Sequence, residues 1–207
     1  MTPHPLQRPE PRLVLASASA ARRAVLEAAG LAFEVRTAAV DEAAIKESAR
    51  AEGLPPGDAA MLLADAKAAR VGRRDPEALV VGADQLLVCE DRWFDKPPDM
   101  AAARAQLLAL RDRPHELVTA VVCHRHGERV WGHLARPRLA MRAFSEAFLD
   151  AYLAVEGERV LSSVGAYRLE GPGPHLFREV RGEHSAILGL PLLPLLGFLR
   201  DHGVVLG

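Results

Sequence analysis

Leu13-Val14-Leu15-Ala16-Ser17-Ala18-Ser19, running on through Ala20-Ala21-Arg22-Arg23 to Ala29-Gly30, decides the fold class. Leu13 to Ala16 is a short apolar run that reads as a buried strand. Ser19 is a good N-cap and Gly30 a good C-terminal stop, so Ala20 to Ala29 reads as a helix launched straight from that strand. The pattern then recurs. Phe33 to Ala38 reads as a second strand, and Asp41-Glu42 opens a polar stretch broken at Pro55-Pro56-Gly57. Asp58 is expected to cap a long helix to about Val71, with Met61, Leu62, Ala66 and Ala69 at helical spacing. Ala78 to Ala83 and Gln85 to Cys89 read as strands, Glu90-Asp91 as a turn towards Trp93-Phe94, and Asp99 as the cap of a helix to Leu110.

The following segment changes character. Glu116 to Arg125 and Arg129 to Arg142 are extended runs around His126-Gly127, the pattern of a long hairpin. Ser145 starts a helix to about Val155, closed by Gly157. A Gly/Pro-rich loop covers 162–174, Leu176 to Val180 reads as a short strand, and a last helix begins at Pro191 and stops at Gly203. The expected class is α/β, a mixed sheet flanked by helices. Residues 1–11, with four prolines, read as a loose leader, and 12–207 as a single domain.

Composition narrows the function. The 207 residues carry a net charge of −1, so the broad basic footprint of a nucleic-acid binder is lacking, as are stacking platforms at 5% aromatic residues. With 49% hydrophobic residues the chain is not a disordered one. Cys89 and Cys123 make neither a disulfide framework nor a four-cysteine zinc site, and each sits in an apolar run as a buried thiol. Cys89 has no sequence-adjacent base and is set aside as a nucleophile. The richest apolar stretch, Ala186 to Leu199, is interrupted by Pro191 and Pro194 and falls short of the ~20 residues of a membrane span. No secretory signal precedes Arg22 and Arg23, so a cytoplasmic protein without membrane or nucleic-acid partners is expected.

Several short constellations suit a polyanion. Ser17-x-Ser19-x-x-Arg22-Arg23 lies at a strand-to-helix junction, where free N–H groups, two hydroxyls and two guanidinium groups suit a phosphate. The same pattern also describes a plain capped surface helix with two solvated arginines. Asp41-Glu42 follows a strand and suits a hard divalent cation, or is simply acid at a helix N-terminus. Lys67, alone on an Ala/Leu helix, reads in isolation as a solvent-facing lysine. Asp84 in Val80-Val81-Gly82-Ala83-Asp84-Gln85 is expected at a strand end, where α/β proteins place ligand-facing acids. Lys96 is fixed by the stiff turn Asp95-Lys96-Pro97-Pro98, and Gly165 to Gly171 is a glycine-bounded loop of the kind that lines pockets. His124-x-His126 has no third ligand at a telling spacing and reads as an exposed turn.

Leu15-Ala16-Ser17-x-Ser19-x-x-Arg22-Arg23, Val40-Asp41-Glu42, Lys67-Ala68, Val81-Gly82-Ala83-Asp84, Lys96-Pro97, Gly165-Ala166-Tyr167-x-x-Glu170-Gly171 and Leu188-Gly189-Leu190-Pro191-Leu192 occur together in this order. In that set and order the chain resembles the Maf family of nucleoside triphosphate pyrophosphatases. The resemblance implies a fold like that of the inosine-triphosphate pyrophosphatases with an active-site cleft, a cytoplasmic house-cleaning role and a homodimer. It also implies hydrolysis between the α and β phosphates of a nucleoside triphosphate with a divalent cation such as Mg²⁺ or Mn²⁺. It places Asp84 as the catalytic base, Glu42 and Asp84 at the metal, and Ser17, Ser19, Arg22, Arg23, Lys67 and Lys96 on the substrate. Attack of water on the α-phosphorus needs a base or a metal-activated water, and an aspartate with an ordinary pKa near ~3.9 serves at neutral pH.

The base to be read is implied by three positions. Gln85 and Glu170 resemble the branch acting on 7-methyl-GTP, whereas Ala21 stands where that branch carries a bulky aromatic, and Ala20 replaces the family's usual proline. A carboxylate at Glu170 offers two acceptors to the guanine Watson–Crick edge and favours a positively charged methylated ring. The alternatives are a dTTP/UTP-preferring enzyme of the same family, or a non-catalytic nucleotide-binding regulator of septum formation.

Overall fold

The computed structural model describes residues 5–37 and 39–207; Ala38, the last residue of the expected second strand, lies outside them, as do residues 1–4 of the leader. The described residues form two compact units. The first comprises the chain to Asp84 with Thr119–Ala135 and Glu183–Gly207. The second comprises Gln85–Val118 and Arg136–Gly182.

The first unit is built on β1 (Leu13–Leu15), α1 (Ala20–Ala28) and β2 (Glu34–Val35). β1 is buried along its whole length and pairs in parallel with β2 on one side and with β3 (Leu79–Cys89) on the other. A strand covered on both faces needs an uninterrupted apolar run, which Leu13 to Leu15 supplies. Ser19 caps α1 as expected, and Gly30 ends it at φ 72°. Among the described residues β2 covers Glu34 and Val35 of the expected strand from Phe33, both exposed, and the Arg36 N–H adds a bond to the Leu15 carbonyl.

Three further differences matter for the site. The polar stretch after Asp41 is a helix, α2 (Glu42–Ala51), whose first turn is capped by the Asp41 side chain on the Ala44 N–H. It buries only Ala49, and its apolar positions are mostly alanine, so the segment reads as polar. The next helix, α3 (Pro56–Gly72), starts with proline at its first position, and Asp58 lies inside the first turn rather than capping it. Finally, β3 runs unbroken through Asp84, which is therefore mid-strand and not at a strand end. The strand tolerates Gly82 because α3 lies directly against it: a Cβ there would come within 2.3 Å of the Ala64 carbonyl oxygen.

The expected hairpin is β5 (Pro114–Arg125) and β6 (Glu128–Ala135), with His126 and Gly127 at φ 53° and 82° in the turn. Its returning arm breaks after Ala135 and resumes as β7 (Arg138–Met141), which pairs with the beginning of β5 in the second unit. That unit also holds β4 (Arg92–Phe94) antiparallel to β3, and β8 (Phe177–Arg181) beside β7. α4 (Met100–Leu110), capped by Asp99, packs on α5 (Glu146–Glu156) and on the 3₁₀ turns Gly157–Ser162 and Val164–Ala166. A short helix, α6 (His184–Ile187), was not expected; it precedes α7 (Leu192–Asp201), which packs Leu195, Phe198 and Leu199 into the core with β1 and α1. Parallel and antiparallel pairs together make the mixed α/β sheet the sequence predicts.

Residues 5–11 differ from the loose leader expected over 1–11. The Gln7 side chain exchanges two hydrogen bonds with the backbone of Ala32 (2.7 and 2.8 Å), and the Arg8 N–H donates to the Val204 carbonyl. Leu6 to Arg8 are tied down by polar contacts that the proline content does not reveal.

In the second unit His115 is buried with one ring nitrogen 2.8 Å from the Tyr167 hydroxyl and the other without a partner among the described residues. Burial pulls its pKa from an ordinary 6.5 to about 4. Between those values the unfolded chain takes up a proton that the folded chain refuses. Stability is therefore full above pH 6.5 and falls as pH drops towards 4, by at most about 3 kcal/mol from this group. Urea unfolding at pH 7, 5 and 4 is expected to show that loss, and His115→Gln to flatten it; a variant with an unchanged pH profile would remove His115 as its source.

Candidate active site

The site in the first unit begins where β1 ends. Ser17 is buried, and its hydroxyl accepts from the Ser19 N–H (3.2 Å). The Ser19 hydroxyl in turn caps α1 through the Arg22 N–H (3.3 Å). The helix N-terminus is thereby shaped by the two serines of the motif.

Arg22 departs most from its expected role. Its side chain is buried: Nε donates to the Gly189 carbonyl (2.8 Å), and Nη1 donates to both Ser17 Oγ (3.1 Å) and the Ala83 carbonyl (2.9 Å). Burial lowers its pKa, which the nearby charges of Asp84 and Glu42 oppose. A guanidinium with that many donors committed is a framing group that ties the start of α1 to the strand just before Asp84. Only Nη2 is left without a partner among the described residues. Arg23, one residue on and about 100° around the helix, is exposed beside Glu27, so the two arginines do not act as a pair.

Lys67 also departs from its reading as a solvent-facing lysine. It is buried on α3, with Nζ 2.6 Å from Asp84 Oδ1 and 2.8 Å from Glu42 Oε1. The two carboxylates, from the first turn of α2 and the middle of β3, meet on one ammonium. Asp84 is itself buried, and its Oδ2 has no hydrogen-bond partner among the described residues. An orphaned buried carboxylate oxygen is costly unless something supplied from outside satisfies it. The oxygens of Asp84 and Glu42 are hard donors of the kind Mg²⁺ or Mn²⁺ takes, with water and phosphate completing the shell. The residues present therefore fit a divalent cation held by Asp84 and Glu42, though the described residues hold no cluster of three or more ligating side chains.

The remaining expected positions fall elsewhere. Ala21 is half-buried on α1. Gln85, Lys96 and Glu170 belong to the second unit: Gln85 half-buried in β3, Lys96 exposed after β4, and Glu170 exposed on the loop. Glu170 stands 3.5 Å from Arg168, whose guanidinium also meets the buried Glu156 at 3.3 Å. Glu156 was not singled out in the sequence, and nothing local marks it; only its crowding against Gly171, where a Cβ would lie 2.7 Å from Oε1, shows its part in shaping the loop. Gly189 stands in the Leu188-Gly189-Leu190-Pro191-Leu192 motif. At φ 96° it presents its carbonyl to Arg22, and a Cβ there would come within 3.1 Å of Arg22 Nε.

Other candidates do not join the site. His124, buried in β5, pairs through Nε2 with Asp65 (2.8 Å), while His126, in the hairpin turn, faces Glu77. Burial raises the pKa of Cys89 and Cys123 alike, which keeps both as thiols. No helix among the described residues is long and apolar enough to cross a membrane.

A serine-shaped helix N-terminus is thus tied through one arginine to the aspartate–lysine pair, which the exposed Glu42 joins from α2. The chain belongs to the Maf family: residues 12–202 match the family described as Maf-like protein. It is similar to a nucleoside triphosphate pyrophosphatase of Granulibacter bethesdensis, 58% identical over 92% of this chain and 97% of that one. The nucleoside triphosphate pyrophosphatase of Paramagnetospirillum magneticum is 56% identical over 92% and 98%. A 7-methyl-GTP pyrophosphatase of Rhizobium meliloti is 47% identical over 95% and 98%.

Lysine at position 22 keeps the charge but cannot reach three acceptors on two nitrogens. Arg22→Lys is expected to lower unfolding stability by roughly 2–4 kcal/mol, measured by urea titration. A loss under about 0.5 kcal/mol, the size of an ordinary surface change, would contradict the framing role.

Proposed function

We propose that this chain is a nucleoside triphosphate pyrophosphatase that cuts between the α and β phosphates. The observation that carries the reading is the buried Asp84, one oxygen held by Lys67 and the other unpartnered, one residue from the backbone that Arg22 ties to Ser17. In the reaction water attacks the α-phosphorus, the bond to the bridging oxygen of the β-phosphate breaks, and nucleoside monophosphate and pyrophosphate leave.

Each residue has a physical task in that step. Asp84 Oδ2 accepts the water's proton. The N-terminus of α1, with Ser17 and Ser19, offers donors to the triphosphate oxygens. Lys67 and Arg22 Nη2 supply positive charge where negative charge builds on the leaving pyrophosphate. A divalent cation held by Asp84 and Glu42 would add further charge neutralisation when bound. Arg23 and Lys96 are proposed to act on the substrate by resemblance alone, as are the cytoplasmic location and a homodimer.

The base is assigned to guanine methylated at N7, from Gln85 and Glu170. A carboxylate that stays exposed at Glu170 keeps an acceptor available to a base edge despite Arg168 nearby. The second reading, a dTTP/UTP preference, is favoured by Ala21, which removes any stacking surface beside the arginines.

Asp84→Asn is expected to leave the melting temperature near that of the wild type and lower kcat by at least about a hundredfold, the size of a general-base contribution; near-normal turnover would end the catalytic role of Asp84. A panel of canonical and modified triphosphates, read as relative kcat/KM, is expected to rank 7-methyl-GTP above dTTP and UTP, and Glu170→Gln to narrow the gap. A higher rank for the pyrimidines would overturn the base assignment. No turnover of any triphosphate would instead leave a nucleotide-binding regulator.

A further inference from the structure

Lys67 occupies the ground that a divalent cation would need. Its ammonium nitrogen lies within 2.8 Å of an oxygen from each of the carboxylates assigned to the metal, and the Lys67 side chain is only 11% exposed. A cation sharing those same oxygens binds at about 2.0–2.2 Å, so it and the ammonium cannot both keep their contacts. Arg22 adds a second positive charge that interacts with Asp84 and Glu42. A free dication approaching this cluster meets two carboxylates that Lys67 already engages through one oxygen each, and even at the unpartnered Asp84 Oδ2 it meets repulsion from the ammonium and the guanidinium at short range.

The lysine cannot simply be carried away by its helix. α3 is pressed on β3 at Gly82, with the Ala64 carbonyl and the Ala68 Cβ closer to a would-be side chain than any Cβ allows. Only the four-carbon stem is free to redirect the ammonium. The redirection needs a new anionic partner, and a triphosphate brings several negative charges together with oxygens for the metal.

We propose that Lys67 is a resident counter-ion that keeps the affinity of Asp84 and Glu42 for free metal low, so that cation and nucleotide bind together rather than in sequence. The inference rests on the nucleotide reading given above and deepens it. By thermodynamic linkage, whatever the nucleotide adds to metal affinity the metal adds to nucleotide affinity.

The test uses free Mn²⁺ as probe and the full chain without nucleotide, with bound Mn²⁺ read by electron paramagnetic resonance. Lys67→Met is expected to bind Mn²⁺ at least ten times more tightly than the wild type, and Lys67→Met with Asp84→Asn to lose that gain. Equal or weaker binding by folded Lys67→Met would overturn the proposal. Lys67→Gln, neutral and polar, gives the same comparison if the methionine variant does not fold. The wild type provides an independent arm: Mn²⁺ binding in the presence of a non-hydrolysable triphosphate analogue is expected to be at least tenfold tighter than the same protein shows alone and tighter than to the analogue alone. Equal affinity with and without the analogue would overturn the proposal too. Absence of turnover with every triphosphate would count against the enzymatic reading while leaving the Mn²⁺ comparison of Lys67→Met with wild type intact.

Discussion

A lysine ammonium buried between two carboxylates is the constraint around which the first unit is arranged. Taking such charges out of water costs several kcal/mol per ion, and the attraction between them compensates only if the geometry is good and held. Here each partner is fixed by a different device. Gly82 lets α3 lie on β3, which sets Lys67 against Asp84. Asp41 caps α2 and so sets the position of Glu42 in the first turn. Arg22 grips the carbonyl immediately before Asp84 and fastens it to Ser17 and to the turn at Gly189. The cluster buries Asp84 and Lys67 with Glu42 at its exposed rim, leaves one carboxylate oxygen unpartnered, and lies next to a helix N-terminus. Such an arrangement is poor as a device for stability. It is a good one for receiving a cation and a polyanion at once.

The division of labour among the cations follows from burial. Arg22 has a planar fork of donors and a charge that persists even when desolvation lowers its pKa, so it is suited to span three backbone and side-chain acceptors. Lys67 has a compact charge on a flexible stem, so it can serve one set of oxygens and then another. Arg23 and Lys96 are solvent-exposed, where charge is screened and weakly directed.

How much of this was legible in the sequence varied with whether the deciding contact was local. The β1–α1 junction could be read because strand, cap and stop lie within 18 residues. The Glu90-Asp91 turn, the caps at Asp99 and Ser145 and the stop at Gly157 could be read for the same reason. Lys67 could not, because its partners are 25 residues before and 17 residues after it, and a helical wheel shows neither. The position of Asp84 was displaced to a strand end because Gly82 and Ala83 look like a break. Their small size instead admits a helix. α2 is hard to read because its apolar positions are mostly alanine, and the burial of Arg22 because two of its three acceptors are backbone carbonyls, which no side-chain pattern encodes. The set of motifs in order pointed to the family where single residues pointed to nothing.

The central claim is that this cluster directs water to the α-phosphorus of a nucleoside triphosphate. Phosphorus-31 NMR of the products of a triphosphate incubated with the protein and Mg²⁺ tests it most directly. Inorganic pyrophosphate and nucleoside monophosphate appearing in equal amounts is the predicted result; inorganic phosphate with nucleoside diphosphate, from attack at the γ-phosphorus, would contradict it.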